Sequence, residues 1–354
     1  MKLKLKRLGL ALLPLLVLAA TVQAQGGGIL QGQVVNGTAD GPAVGAGLTV
    51  TLHVLRDTGE VDSRTTRTDA HGAFRFEGLD TDPALQYQPE VVYLGVPYSS
   101  PEPYRFSPGQ TALQVVLTVF ETTKEDQAIR LDSAHLIVES FGQMLRVSEI
   151  QLVGNGGDRT YVGRTQGSGR QTTISIPLPR EAVGLAFTED TPPDRYLTVE
   201  GGLLDTRPVR PGDASSLVLF SYHLAADGQV VPLERRFDYP LARLNVLIAQ
   251  PGLELRSDQL QPRGTQLFEG RQYSLYTATD LDPATPVRME LVVEGGAAGR
   301  PDQAAAGDSS RSRQGLLRWL GLAVTGLAAI GAAAYPAAVR RPRPPRQKGE
   351  SVRG

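Results

Sequence analysis

The chain has 354 residues, with 36 lysines and arginines against 37 aspartates and glutamates, four histidines and no cysteine. The lack of cysteine excludes a disulfide framework, a thiolate metal site and a cysteine nucleophile, so the fold must rest on its core. Setting aside four basic residues before Ala24, and seven basic and one acidic residue after Arg313, leaves 25 basic against 36 acidic in between, an excess that disfavours nucleic acid as a partner.

The N-terminus opens with Lys2, Lys4, Lys6 and Arg7, followed by a short apolar stretch over 8–20 broken by Pro14. Val22-Gln23-Ala24 places small residues at the cleavage positions, so residues 1–24 are expected to be a signal peptide cut after Ala24. Everything from Gln25 to about Gln314 is then exported, about 290 residues, enough for two domains.

Strand signals begin after Gly26-Gly27-Gly28. Residues 29–35, 48–54, 61–67, 73–76, 86–94 and 112–120 carry short alternating apolar runs, separated by turn-rich segments such as Asn36 to Pro42 and Thr68 to Gly72. Six or seven short strands without helical periodicity predict a small antiparallel sandwich over 25–120. Within it Tyr87, Tyr93, Tyr98 and Tyr104 fall in one Pro-stiffened stretch. They are the candidate ligand platform, for a sugar ring or a peptide; strand and turn packing is the other reading of the same residues.

Three segments of this domain carry a resemblance: Gly32-Gln33-Val34-Val35-Asn36-Gly37-Thr38, the alternating 50–54, and Thr68-Asp69-Ala70-His71-Gly72-Ala73-Phe74-Arg75-Phe76 running on to Leu79. Together they resemble the carboxypeptidase regulatory-like domain, over about a quarter of the chain. The resemblance implies a transthyretin-like β-sandwich, similar to the starch-binding-like and collagen-adhesin B-type repeats, and is nearly silent on activity. Relatives of the adhesin type often carry a Lys–Asn isopeptide bond. Lys124, the lone lysine between the signal and the tail, lies in a polar segment, so no such bond is expected here.

Residues 121–127 are polar and short, and are expected to be a linker. Strand signals resume at 133–140, 144–153, 172–176, 182–187 and 196–199, then at 216–224, 229–237, 243–249, 273–277 and 287–293. Asp227-Gly228 marks a tight turn between two of them. These predict a second, larger antiparallel sandwich of roughly ten strands over 128–294. Val153-Gly154-Asn155-Gly156-Gly157-Asp158, Ile176-Pro177-Leu178-Pro179, Leu219-Phe220-Ser221-Tyr222 and Tyr239-Pro240 resemble, as a set, an uncharacterised domain found before the membrane helix of bacterial envelope proteins.

Residues 295–314 are rich in Gly, Ala, Ser and Gln and read as a flexible stalk. Residues 315–339 follow as an expected transmembrane helix. From Trp319 to Val339 they hold no charge, and 21 residues suffice to cross the ~30 Å hydrocarbon layer. The tail over 340–354 opens with Arg340, Arg341, Arg343, Arg346 and Lys348, the basic flank retained in the cytoplasm. The fold class expected is mostly β: two antiparallel β-sandwiches in tandem, with a signal peptide and one C-terminal span, in a single-pass type I membrane protein.

No catalytic constellation emerges. His53, His71, His135 and His223 have no metal-ligand spacing, no GxSxG elbow is present, and the Gly-rich 165–170 segment lacks a Walker lysine. Asp69, Asp80 and Asp82 flank one strand and are expected to form turns rather than hold Ca²⁺. The sequence therefore points to a non-enzymatic extracytoplasmic binding or scaffold protein of the bacterial envelope, with no cofactor and no metal. Its expected partners are the bilayer and an envelope protein or polysaccharide. A carbohydrate-binding surface protein and an accessory subunit of an envelope assembly or export complex are the alternatives.

Overall fold

The computed structural model describes residues 27–293, apart from 142, 166–168, 189–190, 269 and 284. The expected signal peptide, stalk, membrane span and basic tail lie outside the described residues. The described part is mostly β with no α-helix, and so contains no helix long and apolar enough to cross a membrane. It divides between Val119 and Phe120 into two compact units.

The first unit contains β1 (Gly28–Asn36), β2 (Thr49–Arg56), β3 (Gly59–Arg67), β4 (Ala73–Leu79), β5 (Gln86–Tyr93), β6 (Val96–Ser99) and β7 (Ala112–Val119). They form two sheets, ordered β4-β1-β7 and β3-β2-β5-β6. Period-two patterning decides which face is buried. Leu113, Val115, Leu117 and Val119 are buried on β7 while the residues between them are exposed. Val50, Leu52 and Val54 do the same on β2, and Phe74 and Phe76 on β4. β1 runs parallel to β7, pairing Leu30 with Leu113 and Val34 with Leu117, so the sandwich is mixed rather than wholly antiparallel. Strand polarity is invisible to alternation, because the pattern reads the same in both directions. Gly32 permits the close approach of these strands: a Cβ there would run into the Val115 carbonyl oxygen and the Phe74 ring. β3 is exposed almost throughout and carries charges, as suits a sheet edge that must not recruit another strand.

The second unit begins with the segment expected to be a linker. That segment carries β8 (Thr122–Thr123), which pairs in parallel with β11 (Thr160–Tyr161); β9 (Ile129–Phe141) and β10 (Met144–Asn155) lie between. Then come β12 (Arg164–Thr165), β13 (Gln171–Thr172), β14 (Ile174–Pro177), β15 (Val183–Phe187), β16 (Tyr196–Val199) and β17 (Gly202–Asp205). The long β18 (Gly212–Ala225) leads to β19 (Val230–Arg235), β20 (Leu241–Ala249) and β21 (Leu253–Arg256). β22 (Gln261–Phe268), β23 (Arg271–Leu281) and β24 (Val287–Val293) complete the unit. Several short strands here exceed the roughly ten expected. β22 escapes a pattern reading because Pro262 and Gly264 give it the composition of a turn; it sits at a sheet edge, where a missing N–H is tolerated.

One sheet dominates, in the order β15-β18-β10-β9-β20-β23-β22. All its pairings are antiparallel except β9 with β20, which run parallel. Three-stranded sheets β14-β17-β16 and β19-β24-β21 contribute Ile174, Ile176, Leu203, Leu233, Leu255 and Met289 to one core with its inner face. Leu136, Val138, Val147, Phe220, Val246 and Ile248 are the corresponding inner-face residues.

Candidate functional site

The four tyrosines of the candidate platform come from the β5–β6 region of the first unit. Tyr87, Tyr93 and Tyr98 share the inward side of their sheet, since they alternate along β5 and Tyr98 pairs across from Val91. Tyr87 and Tyr98 are buried, so neither offers a ring face to a ligand. Tyr87 donates its hydroxyl proton to the Asp80 carbonyl and meets the Phe106 ring edge-on, with centroids 5.5 Å apart. Tyr104 exchanges both backbone hydrogen bonds with Tyr87 at 2.8 Å and is half-buried. Tyr93 is half-buried where Leu94 and Gly95, both at positive φ, turn the chain in a two-residue hairpin. Tyr87 and Tyr104 are thus neighbours, whereas Tyr93 lies at the other end of β5, about 20 Å along the strand; Tyr87 and Tyr98 serve as packing groups rather than as an exposed shelf.

The aspartates act as local turn formers. Asp69 accepts hydrogen bonds from the His71 and Ala73 amides at 2.8 and 2.9 Å, and these hold its pKa below the usual carboxylate value. Asp82 accepts from the Ala84 amide and from Arg56, with the same effect. A groove of about 830 Å³ on the first unit is lined by Gln31, Gln33, Arg67, Asp69, Arg75 and Gln114 among others. Its polar groups are largely tied to one another: Arg75 donates to Gln31 and Glu77, and Gln33 to the His71 carbonyl.

The strongest electrostatic perturbations lie inside the second unit. Arg235 of β19 and Glu149 of β10 are both buried to within 1% of complete exclusion. Arg235 donates from Nη2 to Glu149 Oε2 at 2.8 Å and from Nη1 to the Pro177 carbonyl at 2.7 Å. Its Nε lies 2.8 Å from Oε1 but off the hydrogen-bonding line, so that contact is ionic only. Tyr222 donates to Glu149 Oε1 at 2.9 Å and Gln151 to Oε2 at 3.2 Å. Burial and the adjacent Glu149 charge push the Tyr222 phenol far above its ordinary value. One guanidinium thereby joins three sheets, because Glu149, Arg235 and Pro177 belong to different ones.

A second buried pair repeats the device. Arg195 grips Asp205 through Nε at 3.1 Å and Nη2 at 2.6 Å, and Nη2 also reaches the Leu217 carbonyl at 2.7 Å. Asp205 accepts from the Arg207 amide at 3.0 Å. The guanidinium lies 4.6 Å over the Tyr196 ring, which stacks on Phe187. Paired and largely hydrogen-bonded in this way, buried charge is tolerated.

His135 lies in the middle strand of the large sheet, on the side away from the main core. Its Nε2 is 3.2 Å from Ser133 Oγ and its Nδ1 3.3 Å from Asn245 Nδ2. Burial, helped by the Arg243 charge, lowers its pKa from 6.5 to about 4, so the ring is neutral at neutral pH. Among the described residues no group of three or more His, Asp or Glu is arranged to hold a metal ion. Sequence reading missed Glu149, Arg235, Arg195 and Asp205. The partners are separated by up to 86 residues, and a charged residue inside a strand carries no local sign of an opposite charge across the core.

No family model matches the sequence, and no curated protein does. Among solved structures, the full-length major pilin SpaD from Corynebacterium diphtheriae is similar at 10% identity, over 77% of this chain and 88% of that one, with a TM-score of 0.22. BcpA, the major pilin subunit of Bacillus cereus, is similar at 10% identity over 74% of this chain and 95% of that one, with a TM-score of 0.18.

Proposed function

We propose that the protein is a non-catalytic, membrane-anchored scaffold or binding protein on the extracytoplasmic side of a bacterial envelope, with its basic C-terminal tail in the cytoplasm. The observation that carries this reading is the use made of its buried ionisable groups. Glu149, Arg235, Tyr222, Arg195 and Asp205 are paired into closed networks that tie sheets together. Catalytic acids and bases are instead arranged around a cleft where substrate can reach them. The uncharged stretch 319–339 and the basic run behind it support the anchor.

The test is crosslinking of the full chain in its native membrane, followed by mass spectrometry of the captured protein and glycan. A specific envelope protein is the expected outcome. Capture of polysaccharide that disappears in Tyr104→Ala would favour carbohydrate binding instead, and turnover of glycan, peptide or ester substrates by the purified chain would overturn the reading.

A further inference from the structure

The large sheet of the second unit buries both faces, and the described residues account for the cover of one only. Its outer face presents Ile137 and Ile150 at 2% exposure, Tyr273 at 2%, Leu275 at 5% and Leu219 at 6%. These form a cluster of their own, distinct from the core beneath the sheet. Among the described residues, every apolar side chain packed against this cluster, Leu217 and Phe268 included, comes from the same seven-stranded sheet. Side chains of a single sheet stand roughly perpendicular to it and shield only each other's flanks, so their tips stay open unless another layer lies about 10 Å above. Near-complete burial across five adjacent strands therefore requires a second layer.

Over the apolar cluster that layer must itself be apolar. Of the polar groups on the same face, Ser133, His135 and Asn245 are bonded to one another, and Glu139 accepts from Arg146, Arg271 and Tyr273. Beyond Val293 the chain supplies one stretch of this kind, residues 319–339, with 21 residues and no charge. As a helix it would measure about 32 Å, against roughly 29 Å across seven strands spaced about 4.8 Å apart. The residues between Val293 and Trp319 can reach any point on the sheet, at up to about 3.3 Å each. The apolar stretch 8–20 fits less well, being shorter and broken at its middle by Pro14, whereas Pro336 lies near the end of 319–339.

We propose that the outer face of the seven-stranded sheet is a docking site for the chain's own apolar segment 319–339, occupied whenever that segment is outside the bilayer. The segment then has two alternative homes, sheet and membrane, and its insertion uncovers an apolar surface on the exported unit. This goes beyond the anchoring role and does not rest on it.

Because the chain has no cysteine, a single introduced thiol reports on the face. Ser148→Cys lies at its centre, and Ser216→Cys, on the inner face of β18, reports whether the unit is folded. The full-length chain, synthesised without membranes, is reacted with a maleimide and compared with the same chain carrying Val324→Asp and Ile330→Asp. The proposal expects the thiol at position 148 to react at least roughly tenfold faster in the charged variant while that at 216 stays protected in both. Equal rates at position 148, fast or slow, overturn it; fast in both means an open face, and slow in both means another cover. Should position 216 react as well, the readout becomes a disulfide between Ser148→Cys and a cysteine placed in turn at 326, 327, 328 and 329. Its formation supports docking, and its absence at all four positions overturns it. Co-flotation with phosphatidylglycerol liposomes tests membrane anchoring separately.

Discussion

Strand β7 of the first unit and strand β9 of the second show two ways of building a sheet from one chain. Along β7 buried and exposed residues alternate without a break, so one face meets the core and the other meets water. Along β9 the residues from Ser133 to Val138 are buried in succession, so both faces are covered. The first unit accordingly keeps its charges outside, on β3 and around its turns. The second unit also places charges inside: Glu149 and Arg235 pair between two sheets, and Arg195 and Asp205 pair at one hairpin, with Arg195 reaching the Leu217 carbonyl of the large sheet. The difference teaches that a doubly covered sheet needs its polar groups solved as pairs, whereas a singly covered one leaves them to water.

The sharpest way to break this comparison is to remove one half of a buried pair. Arg235→Leu leaves Glu149 charged and unmatched, and should destabilise the second unit by about 3–5 kcal/mol. Chemical denaturation followed by proteolysis of each unit would read it, with the first unit's transition unchanged. Replacing both partners by apolar residues of similar size should recover much of the loss; no recovery would mean that the ion pair is not what Arg235 contributes.

A smaller effect comes from pH. His135 has a folded-state pKa near 4 against 6.5 unfolded, so the unfolded chain takes up its proton first as the solution is acidified. Its contribution is complete above pH 6.5 and is lost as pH falls toward 4, amounting to up to about 3 kcal/mol. The slope of stability against pH over that window should flatten in His135→Gln, and a slope that persists would assign it to other groups.

The smallest effect sets outer faces against each other. Val116 on the outer face of β7 is largely exposed, whereas Ile137 on the outer face of β9 is buried. Val116→Ala should change stability by less than about 0.5 kcal/mol, and Ile137→Ala by about 2–4 kcal/mol. Similar values for the two by urea titration would show that the outer face of the large sheet is as open as that of the small one.

The alternating strands of the first unit were readable because each has one wet face: the runs at 48–54, 73–76 and 112–120 match β2, β4 and β7 closely. The long strands of the second unit were readable in place but not in role, since a continuous apolar run such as 136–138 does not say which face meets which partner. Short elements such as β12, β13 and β21 left no pattern at all, being too brief for a period to show. Of the four tyrosines of the candidate platform, Tyr87 and Tyr104 pair. Whether such a cluster faces water or core depends on which side of the sheet is packed, and two of its rings turn out buried.

By itself, then, the sequence determined the β character of both units, the turns at Asp69 and Asp82, and the absence of any cysteine chemistry, all of them consequences of neighbouring residues acting on a local backbone. The parallel pairings of β1 with β7 and of β9 with β20, the buried Glu149–Arg235 and Arg195–Asp205 pairs, and the enclosure of both faces of the large sheet were decided only in three dimensions. All but the Arg195–Asp205 pair bring together residues far apart along the chain, and a contact of that kind is fixed by which sheet packs on which, a choice that no local period encodes.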